Sequence, residues 1–173
     1  SCNDKVFKEN DIMLNPEAKM VEIYSVNSLD EPRGFCLDIK GYKDSADIKK
    51  GLQVHTCYSY QGNIAIDQAF SFERINVGEF YMTSFDVCME AESMTPYSSI
   101  NLEPCSKIDL QKFILNENGS IFLEKNKNLC LTISSEISRE GGGGNPPHLI
   151  RNLTLDYCDT NRFKYQNWAT RTK

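Results

Sequence analysis

Apolar and polar side chains alternate in short bursts along this 173-residue chain, and three bursts share one spelling. They are Leu52-Gln53-Val54-His55-Thr56-Cys57, Ile100-Asn101-Leu102-Glu103-Pro104-Cys105 and Leu153-Thr154-Leu155-Asp156-Tyr157-Cys158. A period of two predicts strands with one face turned to a core. An earlier cysteine with apolar neighbours precedes each burst, in Phe35-Cys36-Leu37-Asp38-Ile39, Val87-Cys88-Met89-Glu90 and Leu129-Cys130-Leu131-Thr132-Ile133. A Gln-x-aromatic triplet follows each: Gln68-Ala69-Phe70, Gln111-Lys112-Phe113 and Gln166-Asn167-Trp168. Three ordered copies of one pattern are an internal repeat, and a repeat constrains the fold more than any local feature.

The first copy predicts strands over Val21–Val26, Phe35–Lys40 and Leu52–Cys57, with a fourth opening at Gln68–Phe72. Asp30-Glu31-Pro32-Arg33-Gly34 reads as a turn and residues 41–51 as a solvated loop. The second and third copies begin at Gly78 and Gly119. No stretch sustains a 3.6-residue period, so helix content should be low. The expectation is an all-β chain of three repeats, about 20–76, 77–117 and 118–173, each with about four strands, behind a polar arm of residues 1–19. Roughly twelve strands in three equivalent units suit a β-trefoil, a pseudo-threefold barrel capped by hairpins. The four glycines and two prolines of Gly141-Gly142-Gly143-Gly144-Asn145-Pro146-Pro147 read as a mobile surface loop or turn, and not as a domain linker, because the stretch lies between Cys130 and Cys158.

Composition narrows the partners. A net charge of −5 argues against nucleic acid and anionic membrane surfaces, and no apolar run approaches a membrane span. No signal peptide is evident, which is compatible with a processed, secreted or cell-surface chain. Six of the seven cysteines fall in matching pairs. Six cysteines allow 15 connectivities, of which repeat symmetry favours Cys36–Cys57, Cys88–Cys105 and Cys130–Cys158. Such bridges belong to oxidising compartments. Zinc is the competing use of cysteine, but Cys-x-x-Cys is absent and the histidines are His55 and His148 alone, so no metal and no cofactor is expected. Cys2 is left over, as a free thiol, a bridge to another chain, or the lipid-bearing residue of a bacterial lipoprotein. Two sequons, at Asn118 and Asn152, are possible glycosylation sites and point toward a eukaryotic origin instead.

The Cys36-Leu37-Asp38-Ile39 segment, the Leu52–Cys57 run and the three Gln-x-aromatic triplets resemble the ricin-type lectin domain, a β-trefoil with Gln-x-Trp repeats. The resemblance covers residues 20 to about 170. It departs by having tryptophan only in the last copy, where Phe70 and Phe113 stand in the others. In that family each repeat can carry a shallow sugar site, built from an acid two residues after the first cysteine and a ring two before the second. A polar side chain four before the second cysteine and the residue preceding the glutamine complete it. A sugar needs such a set because it offers one C–H face for stacking and hydroxyls that want fixed partners. The resemblance therefore implies a site of Asp38, Gln53, His55 and Asp67, with Gln68 behind them and Tyr58 or Tyr60 adding ring area. The other copies supply Glu90, Asn101, Glu103 and Leu110, then Thr132, Thr154, Asp156 and Tyr165. A carboxylate offers no π-face, so those two sites are expected to be degenerate.

Plainer readings stand beside these. Asp38 can cap a turn and His55 can be a surface residue. The three glutamines read as structural, bonding turn backbone while their aromatic partners fill the core. Glu22, Asp30, Glu31, Asp44 and Asp47 read as loop or surface charge, Glu90, Glu103 and Asp156 as solvated acids, and His148 as loop surface. No Gly-x-Ser-x-Gly, His-Glu-x-x-His or phosphate-binding glycine loop occurs, so no catalytic residue is assigned. The resemblance implies a glycan-binding module for galactose or N-acetylgalactosamine ends. The alternative is a trefoil that has lost sugar binding and serves as a protein-interaction subunit of a toxin or surface assembly. Neither reading involves insertion into a membrane.

Overall fold

The structure, a computed structural model, describes residues 19–41 and 47–172. Most of the polar arm, with Cys2, and also Asp44 lie outside the described residues. The first unit runs β1 (Met20–Ser25), β2 (Phe35–Ile39), β3 (Leu52–Thr56) and β4 (Phe70–Ser71). The second runs β5 (Tyr81–Met82), β6 (Val87–Ala91), β7 (Ile100–Glu103) and β8 (Phe113–Leu115). The third begins with β9 (Ile121–Leu123) and β10 (Asn126–Ile133) and ends with β13 (Leu153–Tyr157) and β14 (Trp168–Arg171). Between them stand β11 (Arg139–Glu140) and β12 (Leu149–Arg151), which take the described strands from the expected twelve to fourteen.

Antiparallel hairpins β2–β3, β6–β7 and β10–β13 carry the three disulfides Cys36–Cys57, Cys88–Cys105 and Cys130–Cys158, one in each unit. Their registers are equivalent. Cys36 faces His55, Cys88 faces Glu103 and Cys130 faces Asp156; two residues on, Asp38 faces Gln53, Glu90 faces Asn101 and Thr132 faces Thr154. Strand β1 pairs with both β14 and β4, so the last unit closes against the first, as the all-β trefoil expectation requires. Phe70, Phe113 and Trp168 are buried in one continuous core with Phe35, Phe80 and Met89. Burial of such side chains is worth roughly 1.5–3 kcal/mol each. The Trp168 indole N–H needs a partner there and donates to the Leu131 carbonyl at 3.1 Å. Phenylalanine has no such need, which is how it serves in the other two units.

Three expectations change. The fourth strand stops at Ser71, whose hydroxyl accepts from the Arg74 N–H and caps α1 (Phe72–Asn76), a single helical turn. Glu22 and Glu31 are fully buried, not surface charges. Glu22 pairs with Arg171 across the β1–β14 seam. Finally, β2 and β3 are buried along their whole length, whereas β6, β7 and β13 keep partly exposed positions. The cause is β12, which pairs with β3 and places Ile150 opposite His55 and Arg151 opposite Val54. No helix among the described residues is long and apolar enough to cross a membrane.

The glutamine of each triplet ties its unit together. Gln111 accepts from the Ser106 N–H at 2.8 Å and donates to the Pro104 carbonyl and to Glu90 at 3.0 Å each. Gln111→Ala is expected to cost about 1.5–3 kcal/mol, from three lost hydrogen bonds. Urea unfolding should show a lower midpoint at unchanged slope.

Candidate functional site

The first unit repeats the glutamine geometry with one addition. Gln68 accepts from the Tyr58 N–H and donates to the Thr56 carbonyl and to Asp38 Oδ2, all at 3.0 Å. Gln53, opposite Asp38 on β3, donates to Asp38 Oδ1 at 3.3 Å. Burial pushes the Asp38 carboxyl well above its ordinary range, with Asp67 adding to the effect and the two amides opposing it. Gln53 and Gln68 therefore hold Asp38 in place from two sides.

His55 does not lie open as a stacking platform. Its ring stacks on Tyr58 at 5.0 Å, and His148 meets it edge-on at 5.2 Å. His55 Nδ1 lies 2.8 Å from the Thr56 carbonyl, so that nitrogen donates and Nε2 is the acceptor of the neutral ring. His148, expected on a loop surface, is buried. It lies edge-on to Tyr58 and Tyr60, with Nε2 2.7 Å from the Tyr60 hydroxyl, while its buried Nδ1 meets no hydrogen-bond partner.

The β11–β12 hairpin brings His148 here, and a polar clamp holds that hairpin down. Arg33 grips Glu31 through two nitrogens and donates to the carbonyls of Pro146 and Pro147 at 2.8 and 2.9 Å. Glu31 also accepts from the Thr56 hydroxyl at 2.8 Å, and that hydroxyl accepts from the Leu149 N–H at 2.7 Å. Burial alone would raise the Glu31 carboxyl, but hydrogen bonds from Arg33 and Thr56 hold it below its usual value. Arg151 adds an ion pair to Asp30 at 2.9 Å. Gly144 has no room for a side chain: a Cβ there would come within 2.5 Å of the His148 ring.

Asp38, Gln53, His55, Asp67 and Gln68 thus come together, and each is 5% exposed or less. Gln53 and His55 line a cleft of about 500 Å³ with Tyr58, Gly142, Gly143 and Ile150. Asp67 lines a neighbouring cleft of about 770 Å³ instead. Tyr58 is half-buried, so it is the more accessible of the two stacked rings. In the second unit Glu103 is exposed and Glu90 is taken up by Gln111. In the third, Thr132 accepts from Gln166 at 2.9 Å, and Asp156, buried where solvent was expected, pairs with Arg162 at 2.6 Å. Asn118 and Asn152 are both exposed. Among the described residues, the acidic clusters with metal-like spacing are Glu22 with Cys36 and Cys57, and Glu79 with Cys88 and Cys105. Their sulfurs belong to disulfides and cannot serve as thiolate ligands. Tyr58, His148 and the glycine loop complete the cleft wall. Sequence offered only the ring content of Tyr58 and the odd position of four glycines inside a cysteine pair.

A family model of the ricin-type beta-trefoil lectin domain matches residues 25–168. The chain belongs to that family. Solved structures of similar fold include an earthworm R-type lectin C-half in complex with GalNAc, 16% identical, covering 90% of this chain and 99% of that one, TM-score 0.58. The Vibrio vulnificus hemolysin/cytolysin β-trefoil lectin with N-acetyl-D-lactosamine bound is 16% identical, covering 89% and 94%, TM-score 0.55. A chain of the cytolethal distending toxin from Actinobacillus actinomycetemcomitans is 18% identical, covering 91% and 94%, TM-score 0.58. No curated protein matches the chain.

The histidine pair is expected to make this domain's hairpin acid-sensitive. Burial lowers His55, helped by His148 and Arg33 and opposed by the Thr56 carbonyl and Asp67. Burial and Arg33 lower His148, against Glu31. Both rings are therefore neutral under the docked hairpin and return toward about 6.5 when it lifts. Docking is fully stable above that pH and weakens as pH falls from there toward the depressed docked values, by up to about tenfold per pH unit for each ring. Hydrogen exchange at the Leu149 amide, corrected for intrinsic rate, should lose protection between pH 7 and 5. A His55→Gln, His148→Gln double variant should flatten the dependence.

Proposed function

We propose that the chain is a glycan-binding lectin whose first unit takes a galactose or N-acetylgalactosamine end in the 500 Å³ cleft. The observation that carries this reading is the Asp38–Gln53–Gln68 cluster on β2 and β3, with Gln53 and the Tyr58 ring reaching the cleft. Gln53 can bond sugar hydroxyls while the ring covers a C–H face. The family likeness and the sugars bound to the earthworm and Vibrio lectins support the choice of ligand. Three disulfides fit a secreted or cell-surface setting. A single contact of this size binds at about the millimolar level, so useful avidity needs a larger assembly.

The burial of all five expected ligand residues favours a second reading, a protein-interaction subunit, and the toxin chain of similar fold supports it. A glycan array of the wild type beside two variants separates them. Asp38→Asn turns an N–H2 toward one of the two glutamine amides that now donate to the carboxylate, and so breaks one side of the cluster. Gly142→Trp enters open space, since a Cβ there meets nothing within 4 Å, and it narrows the cleft mouth. The lectin reading expects galactose-terminated signals that fall at least about tenfold in both variants, with the melting temperature unchanged in Gly142→Trp. A silent wild type under multivalent display rejects it and leaves the interaction subunit.

A further inference from the structure

The cleft next to the first one takes Asp67 and Tyr58 from the expected sugar site, and the rest of its wall lies outside that set. It measures about 770 Å³, within the range of about 300–1,000 Å³ of ligand-binding clefts. Tyr58, Gly142 and Gly143 line both clefts, so the two form one groove under the glycine loop. The sequence-predicted residues divide between them, Gln53 and His55 facing the first and Asp67 the second. The loop comes from the third unit and is held on the first by the β12–β3 pairing and the Arg33 clamp, so the groove depends on the third unit's hairpin.

The second cleft differs in chemistry. Ile64, Ile66 and Phe85 give it apolar ground, and the side-chain amides of Gln61 and Asn63 give it hydrogen-bonding capacity. Asp67 contributes a carboxylate, and its described lining contains no lysine or arginine. A sugar with an acetamido group matches this mixture, with its methyl on the apolar side chains and its hydroxyls and amide on Gln61 and Asn63. An anionic sugar does not, because it would face Asp67 without a compensating cation.

We propose that this cleft is a subsite for the penultimate sugar of a neutral glycan, one bearing an acetamido group, joined to the terminal galactose-type sugar in the first cleft. The proposal rests on the glycan-binding reading above. It makes the ligand a disaccharide unit read across two clefts, not a lone terminal sugar.

Calorimetric titration of the full chain with methyl β-galactoside and with N-acetyllactosamine tests it. Wild type is expected to bind the disaccharide at least about tenfold more tightly than the monosaccharide. Ile66→Asp and Asn63→Ala alter exposed residues that do not line the first cleft, so folding should be unaffected. In both, monosaccharide binding should stay as in wild type while the disaccharide advantage disappears. Equal affinities for the two sugars in wild type would overturn the subsite and leave the first-cleft reading standing. An advantage that survives both substitutions would also overturn it. Failure of wild type to bind either sugar would remove the first-cleft reading, and the subsite with it.

Discussion

The fold depends on a buried glutamine used three times. Gln68, Gln111 and Gln166 each accept from the N–H just after the second cysteine of their unit and donate to the carbonyl just before it. Each also reaches the residue two after the first cysteine: Asp38, Glu90 or Thr132. One side chain therefore bonds backbone groups on both sides of a disulfide, and it fixes the hairpin against the turn that follows. The aromatic two residues later then has one direction to point, into the shared core. Cysteines, glutamine and aromatic form a single device, which is why they recur in phase.

What makes the units unequal is the insertion in the third. Its hairpin lies on the first unit and converts a half-exposed pair of strands into a buried one. The second unit keeps Glu103 exposed, and the third spends Asp156 on Arg162. A shared architecture thus supports three different surfaces, of which the first is walled by the glycine loop. The clamp is polar throughout, running from Arg33 through Glu31 and Thr56 to the Leu149 backbone. Such a contact can be fully satisfied and still depend on the charge state of what lies beneath it.

Much of the fold was legible because the repeat writes each constraint three times. Cysteine pairing, the hairpin registers and the core positions of Phe70, Phe113 and Trp168 all follow from local spelling in phase. The β12–β3 pairing was not legible, because Leu149–Arg151 has no partner pattern nearby and its strand mate lies about a hundred residues earlier. His148 was misread for the same reason: prolines and glycines beside it signal a loop, and nothing local says what the loop lies on. Glu22 and Glu31 look like surface charge until tertiary structure brings Arg171 to the first and Thr56, under the third unit's hairpin, to the second. For the candidate site, residue types could be read from the motif, but their accessibility could not.

The seam between β1 and β14 has a mechanical consequence. The strands are antiparallel, with Glu22 opposite Arg171 and Ser25 opposite Trp168, so the outer ends of both lie together. Tension applied through the two ends of the domain would load these hydrogen bonds one after another, as in a zipper, instead of all at once. The seam would part at low force, starting from Glu22 and Arg171. Extension beyond it would be limited, because the chain from 36 to 57, 88 to 105 and 130 to 158 is closed by covalent bonds. Under load the protein would become a short string of three knots, each still holding its own hairpin.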